Sequence, residues 1–156
     1  MTKAEREEKF AGRVHKEAIR LFVFSKDCPS YLNPYNYVRN ALMDKFVVAA
    51  NDILAKNEKN NFVSGFTASV VQQIETKGYV SNNQLAQIQR ILSENGFLTE
   101  EDLSALENDG EKEKAARFEY LESHYDELCS KFELQATENV KAANRAYAAG
   151  FHYRRW

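Results

Sequence analysis

Apolar residues recur every three or four positions along most of the chain, which is the spacing of an α-helix that buries one face. In residues 3–26 this stripe consists of Phe10, Val14, Leu21 and Phe22. Thr2 is placed to cap the first turn, and Pro29 prevents the helix from continuing. The pattern therefore predicts a first helix over residues 3–26.

Two further apolar stripes predict the next two helices. Residues 34–56 begin with a proline, which suits the first turn of a helix. Residues 62–77 carry an apolar residue at every fourth position, namely Phe62, Phe66, Val70 and Ile74. We expect this row to be buried, because a regular apolar stripe on a helix usually faces a core.

A turn sequence then occurs twice, eighteen residues apart. Each copy has a glycine that can end a helix in the left-handed conformation and, three residues on, a hydroxyl side chain that can cap the next helix. The pairs are Gly78 with Ser81 and Gly96 with Thr99. The aromatic residue after each glycine can fold back on the helix just ended. This repeat predicts helices over residues 82–94 and 100–108.

Asn108, Asp109 and Gly110 predict a break, after which we expect one long helix over residues 111–149. Phe118, Tyr125 and Phe132 repeat along it every seven residues, as in a coiled-coil seam. So short a seam cannot support a free coiled coil. It is expected either to pack on the first or second helix or to join two chains as a homodimer.

The predicted fold is all-α: a single-domain helical bundle of five to six helices with a long C-terminal helix. A chain of 156 residues is long enough for one such core. Its successive parts are an N-terminal helical pair (1–60), short helix-turn-helix units (61–109), the long helix (111–149) and an aromatic-basic tail (150–156).

Composition and charge indicate the cellular compartment and the classes of partner to expect. The formal net charge is −2, which for the chain as a whole favours neither nucleic acid nor a membrane. Cys28 and Cys129 lack a C-x-x-C spacing and are typical of reduced thiols in a cytosolic compartment. Because the sequence has neither a long apolar run nor a leader-like start, we expect a cytoplasmic protein.

Residues 77–84 spell K-G-x-x-S-x-x-Q, with Phe62, Ser64, Gln72 and Gln73 before this motif and Ile88 after it. The stretch 62–92 resembles a short helical element of phage and plasmid accessory proteins. It differs from the commoner form at Tyr79 and Asn83, where that form has an aliphatic residue and a lysine. The resemblance implies a phage-like accessory protein in the host cytoplasm, and it implies no catalytic residue.

Signals of enzyme chemistry are weak. His15, His124 and His152 share no metal-ligand spacing. The sequence also has no glycine-rich phosphate loop and no nucleophile elbow. We therefore expect a non-enzymatic protein without a cofactor or a metal site.

Charge is unevenly distributed along the chain. Residues 99–128 hold eleven acids and three bases, whereas residues 141–156 hold four bases and no acid. The acidic stretch is expected to be a solvated surface, or else a surface for a basic partner, of the kind that inhibitors mimicking nucleic acid present.

The C-terminal tail is the sharpest candidate site. It combines aromatic rings with arginines: Tyr147, Phe151, His152, Tyr153, Arg154, Arg155 and Trp156. Such residues dominate protein–protein hot spots, and they also stack on unpaired bases and neutralise phosphates. The tail could instead fold back to close the core. Tyr31, Tyr35 and Arg39 form a second cluster of the same kind.

The favoured function is binding of a host or phage macromolecule, with a protein as the first choice, as an inhibitor or modulator. A second hypothesis is a single-stranded DNA- or RNA-binding module that uses the same tail. A third is a homo-oligomeric structural component joined through the Phe118, Tyr125 and Phe132 seam.

Overall fold

The protein is described by a computed structural model that places residues 1–150. This part of the chain forms seven α-helices and one 3₁₀ turn, without a strand. The helices are α1 (Lys3–Val23), α2 (Tyr37–Lys56), α3 (Asn61–Lys77), α4 (Asn82–Glu94), α5 (Glu100–Ser123), α6 (Tyr125–Leu128) and α7 (Glu133–Ala148), with the 3₁₀ turn (Ser130–Phe132) before α7. The predicted all-α class is confirmed, and the predicted count of five to six helices is too low. None of the described helices is both long enough and apolar enough to cross a membrane.

The helices form two compact units rather than the single bundle that we predicted. Unit 1 combines residues 1–34 with the chain from Ala115 onward, and unit 2 is the intervening segment, Tyr35–Lys114. Unit 1 is therefore discontinuous in sequence, and α5 crosses from one unit to the next.

The core of unit 2 lies among α2, α3 and α4. Its largest fully buried side chains include Phe46, Ile53 and Leu92. The predicted buried row on α3 is only partly correct. Val70 is 2% exposed, but Phe62, at the start of the helix, is 56% exposed and stacks on Phe66 at 5.9 Å between ring centroids.

The repeated turn has the predicted geometry in both copies. Gly78 and Gly96 have φ angles of 76° and 81°, in the left-handed region. Backbone N–H groups of α4 and α5 donate to the Ser81 and Thr99 hydroxyls at 3.1 and 3.0 Å. The aromatic residues of the two copies differ, because Phe97 packs against the core whereas Tyr79 is 61% exposed.

The predicted break at 108–110 does not exist, because α5 continues through it to Ser123. Gly110 is buried inside the helix, and a Cβ atom built there would lie 2.7 Å from Cγ2 of Val38. The glycine therefore allows α5 to approach the first turn of α2 and does not end a helix.

The prediction of one long helix over 111–149 is also wrong, because the helix is interrupted between the end of α5 and the start of α7. Side chains near the break compete for helical carbonyl groups. Ser123 Oγ and Ser130 Oγ donate to carbonyls four residues earlier at 2.9 and 2.6 Å, and His124 Nδ1 lies 2.9 Å from the Tyr120 carbonyl. Such bonds bend helices, and here they accompany the turn into α6 and the 3₁₀ segment.

The core of unit 1 forms where α1 packs on α7 and on the segment around α6. Val14 and Ala18 of α1 pack against Ala136 and Val140 of α7. The three residues of the predicted seam, Phe118, Tyr125 and Phe132, all pack against a second cluster that contains Phe22 and Leu121. These three side chains are therefore partly buried by contacts within unit 1.

Candidate functional site

Most of the predicted tail site lies outside the described residues. This applies to Phe151, His152, Tyr153, Arg154, Arg155 and Trp156. Tyr147, in the last turn of α7, is described and is 69% exposed. The tail therefore stays a prediction, with one exposed aromatic residue beside its start.

The second predicted cluster is divided between the units. Tyr31 is 70% exposed and belongs to unit 1, whereas Tyr35 and Arg39 belong to unit 2. The Tyr35 ring is 48% exposed, and Lys114 Nζ lies 5.2 Å from its centroid. Neither unit contains the predicted cluster as a whole.

Arg39 has a structural role in unit 2. Its guanidinium donates to the Val80 carbonyl and, at 2.8 Å, to Asn82 Oδ1. These bonds fix the start of α4 to α2. Because both contacts occupy the guanidinium within unit 2, Arg39 is a weaker candidate for partner contact than the sequence suggested.

The described residues contain no cluster of three His, Cys, Asp or Glu side chains that could hold a metal ion. His15 stacks on Tyr125 and His124 stacks on Tyr120, each at 4.0 Å between ring centroids. Burial raises the pKa of Cys129 to about 11 and that of Cys28 above its usual value. Both thiols therefore hold little of the reactive thiolate near neutral pH.

Unit 2 carries an apolar groove along α2 that the sequence analysis did not identify. Its volume is about 490 Å³, and the apolar side chains that line it are Ala41, Val48, Ala49 and Phe97. Val48 is 84% exposed, an unusual position for a β-branched apolar residue at the centre of a helix. We call this feature the α2 groove.

Charged residues also line the α2 groove. Asp44 and Asp52 lie four residues before and after Val48, so all three project from the same face of α2. Lys45 also lines the groove, and Lys56 Nζ lies 4.9 Å from the centre of the Phe97 ring. The groove therefore has an apolar floor with carboxylates and ammonium groups at its edges.

Unit 1 has a second groove, between α1 and α7, with a volume of about 460 Å³. Its floor includes Val140 and Ala143, and three cations of α1 line it: Arg13, Lys16 and Arg20. These belong to a longer row of exposed cations at spacings of three or four residues, Arg6, Lys9, Arg13, Lys16 and Arg20. We call this row the cationic ridge.

Glu17 is the only carboxylate among the described residues that line the α1–α7 groove, and both of its oxygens accept hydrogen bonds. Arg20 donates to Oε1 and Oε2 at 2.8 Å each, and Asn139 donates to Oε2 at 2.8 Å. The hydrogen bond from Arg20 is the largest of the effects that lower the pKa of Glu17. Glu17 is therefore ionised and paired near neutral pH.

The residues of the K-G-x-x-S-x-x-Q motif form a structural network in unit 2. The side-chain amides of Gln73 and Gln84 donate to each other at 3.0 and 2.9 Å. Gln84 Oε1 also accepts from the Ser81 backbone at 2.9 Å, and Gln73 donates to the Tyr79 carbonyl at 3.1 Å. These bonds join α3 to α4 across the Gly78 turn. The motif residues therefore stabilise the local fold, and their contacts do not form a reactive site.

Comparisons with protein-family models, with curated proteins and with solved structures gave no match.

Proposed function

We propose that the protein is a non-enzymatic accessory protein that binds another protein, and that the α2 groove is the contact surface. The observation that carries this proposal is Val48, an apolar side chain 84% exposed above an apolar groove on a regular helix. Leaving such a surface in water is unfavourable, and a protein partner that covers it gains the free energy of apolar burial.

The shape and charge of the groove favour an amphipathic helix as the bound element. Such helices place an apolar face in a groove and are recognised through side chains three or four residues apart. Asp44 and Asp52 border the apolar floor. Lys45 lines the groove as well, so a bound helix with a basic residue opposite these carboxylates and an acidic residue opposite Lys45 would be complementary.

The resemblance of residues 62–92 to phage and plasmid accessory proteins supports the same class of function. Such a protein would act as an inhibitor or modulator by occupying a surface of its partner. Gln84 of the motif and Gln73, which precedes it, would serve this role indirectly, because they join α3 to α4 in the unit that presents the groove.

The test is affinity capture from host lysate treated with nuclease, using the full chain, Val48→Lys and Asn51→Lys. Asn51 is an exposed residue of the same helix that does not line the groove, so its variant is the matched control. We expect one stoichiometric protein with the wild type and with Asn51→Lys, and its loss with Val48→Lys. Cross-linking should then place an amphipathic helix of that protein on α2.

A variant that ends at Gly150 separates the groove from the C-terminal tail. Capture that survives truncation and fails with Val48→Lys supports the proposal. Capture that is lost on truncation and unchanged by Val48→Lys contradicts it and assigns the contact to the tail.

A further inference from the structure

The cationic ridge on α1 is a second surface with its own chemistry. Five cations lie along one helix face from Arg6 to Arg20, which at the rise of an α-helix spans about 21 Å. Side chains three or four residues apart on a helix are neighbours. The ridge is therefore a continuous line of positive charge on a chain whose net charge is −2.

Most of this charge is not neutralised within residues 1–150. The side chains of Lys9 and Lys16 have no ion pair or hydrogen bond there. Arg6 donates to the Met1 carbonyl at 3.4 Å, and Arg13 donates to the side-chain oxygen of Asn144, so both are bonded to neutral groups. Only Arg20 is paired with a carboxylate, that of Glu17. Four cations of the ridge therefore remain available to an anion, and Asn144 holds one of them in place.

We infer that the cationic ridge and the adjoining α1–α7 groove bind the phosphate backbone of a nucleic acid. Regularly spaced cations match a regularly spaced polyanion, and releasing its condensed counterions drives such binding. The groove floor, Val140 and Ala143, offers small apolar contacts beside the charges. This surface is independent of the α2 groove, so the protein would hold a nucleic acid with unit 1 and a protein with unit 2.

Other anionic partners fit the ridge less well. A protein interface usually has a large aromatic or apolar anchor at its centre and is depleted in lysine. Among residues 1–150, those that line the α1–α7 groove include no aromatic side chain. A membrane-surface helix needs a broad exposed apolar face, whereas the apolar face of α1 packs against α7.

The test is fluorescence anisotropy with a labelled oligo(dT) strand and a duplex of equal length, titrated with the full chain between about 50 and 200 mM salt. Four phosphate contacts predict a slope of log K against log salt of about −2.8 for the single strand and −3.6 for the duplex. We expect Lys9→Gln/Lys16→Gln to reduce the magnitude of the slope by about 1.4 or 1.8, respectively, and to weaken binding at least about tenfold at low salt.

The matched control is Lys26→Gln/Lys59→Gln, which removes the same charge from exposed positions outside the ridge. It should leave the slope unchanged and alter the affinity by less than about twofold. Helical content by circular dichroism should be the same for both double variants, because all four lysines are exposed. Val48→Lys should bind the oligonucleotides at least as well as the wild type, which separates this inference from the proposed protein contact.

Four outcomes would overturn the inference. They are the absence of saturable binding at low salt, equal effects of the ridge and control variants, loss of binding only in the variant that ends at Gly150, and binding of polyglutamate with the same affinity and salt slope. The third would assign the site to the tail, and the fourth would make the ridge a surface for acidic polypeptides.

Discussion

At the scale of single residues, Glu17 shows how unit 1 places a carboxylate among cations. Arg20 donates two hydrogen bonds to it from the same helix, and Asn139 donates a third from α7. Hydrogen bonds to the charged form stabilise it, which is why the pKa of Glu17 is lowered. Glu17 therefore joins α1 to α7 as well as offsetting one positive charge of the ridge.

A carboxylate with a lowered pKa in the folded state stabilises the fold above its unfolded pKa of about 4.3. This stabilisation is lost as the pH falls through the lowered pKa of the folded state. We expect Glu17→Gln to reduce the free energy of unfolding at pH 7, and the difference from the wild type to shrink as the pH falls below about 4. Urea unfolding at several pH values measures both quantities.

The control for this experiment is Glu8→Gln, an exposed carboxylate on α1 outside the groove. It should leave the free energy of unfolding almost unchanged at every pH. A difference between Glu17→Gln and the wild type that stays constant down to pH 3 would show that ionisation of Glu17 does not contribute to folding.

At the scale of helices, the sequence predicted the bounds of a helix correctly where neighbouring residues determine them. The start of α4 at Asn82 and its end at Glu94 are the predicted bounds. Ser81 and Gln84 form both bonds of a capping box, a pattern that is visible in the sequence alone. Tyr31 and Tyr147 are exposed, and their role as contact residues stays a prediction.

Prediction failed where the outcome depends on residues far apart in sequence. The sequence did not indicate that Arg39, a proposed contact residue, bonds to Val80 and Asn82, about forty residues later at the start of α4. The α1–α7 groove forms between helices at opposite ends of the chain. The cationic ridge could have been predicted from the sequence, because Lys9, Arg13 and Lys16 have helical spacing. The net charge of −2 for the whole chain gives no indication of it.

A substitution at Gly110 tests one such long-range contact, the approach of α5 to Val38 of α2. An alanine in a helix is normally favoured over glycine by about 1 kcal/mol. Here its Cβ atom would approach Cγ2 of Val38 to 2.7 Å. We expect Gly110→Ala to destabilise unit 2 by about 1 to 3 kcal/mol, as other overpacked sites do, when measured by urea unfolding.

Val38→Ala provides the matched background for this substitution. Removing the Cγ2 methyl makes room for the new side chain, so Gly110→Ala should cost less in Val38→Ala than in the wild type. The coupling free energy from this double-mutant cycle should exceed about 0.5 kcal/mol. If the two effects simply add, steric contact with Val38 does not explain the glycine.

At the scale of the whole molecule, unit 2 is a continuous segment with a core of its own. All twelve buried residues of that core lie between Leu42 and Leu98. Domains of this size can fold alone. We expect residues 35–114, expressed as a fragment, to be helical by circular dichroism and to unfold cooperatively in urea.

Residues 115–156 provide the comparison, because α1, the packing partner of α7, is absent from that fragment. This fragment should show weak helicity and no cooperative transition. If residues 35–114 behave in the same way, unit 2 depends on unit 1 for its stability.

The discontinuity of unit 1 affects how the protein is made on the ribosome. The last residue of α1 is Val23 and the first of α7 is Glu133, so 110 residues separate them in the order of synthesis. At about 5–20 residues per second, α1 waits about 6–22 s for its partner. During that time Val14 and Ala18 have no α7 to cover them, whereas unit 2 is complete once Lys114 has been made. Nascent-chain folding therefore begins in the middle of the sequence, and the newly made N-terminal helix is the segment that a chaperone would protect.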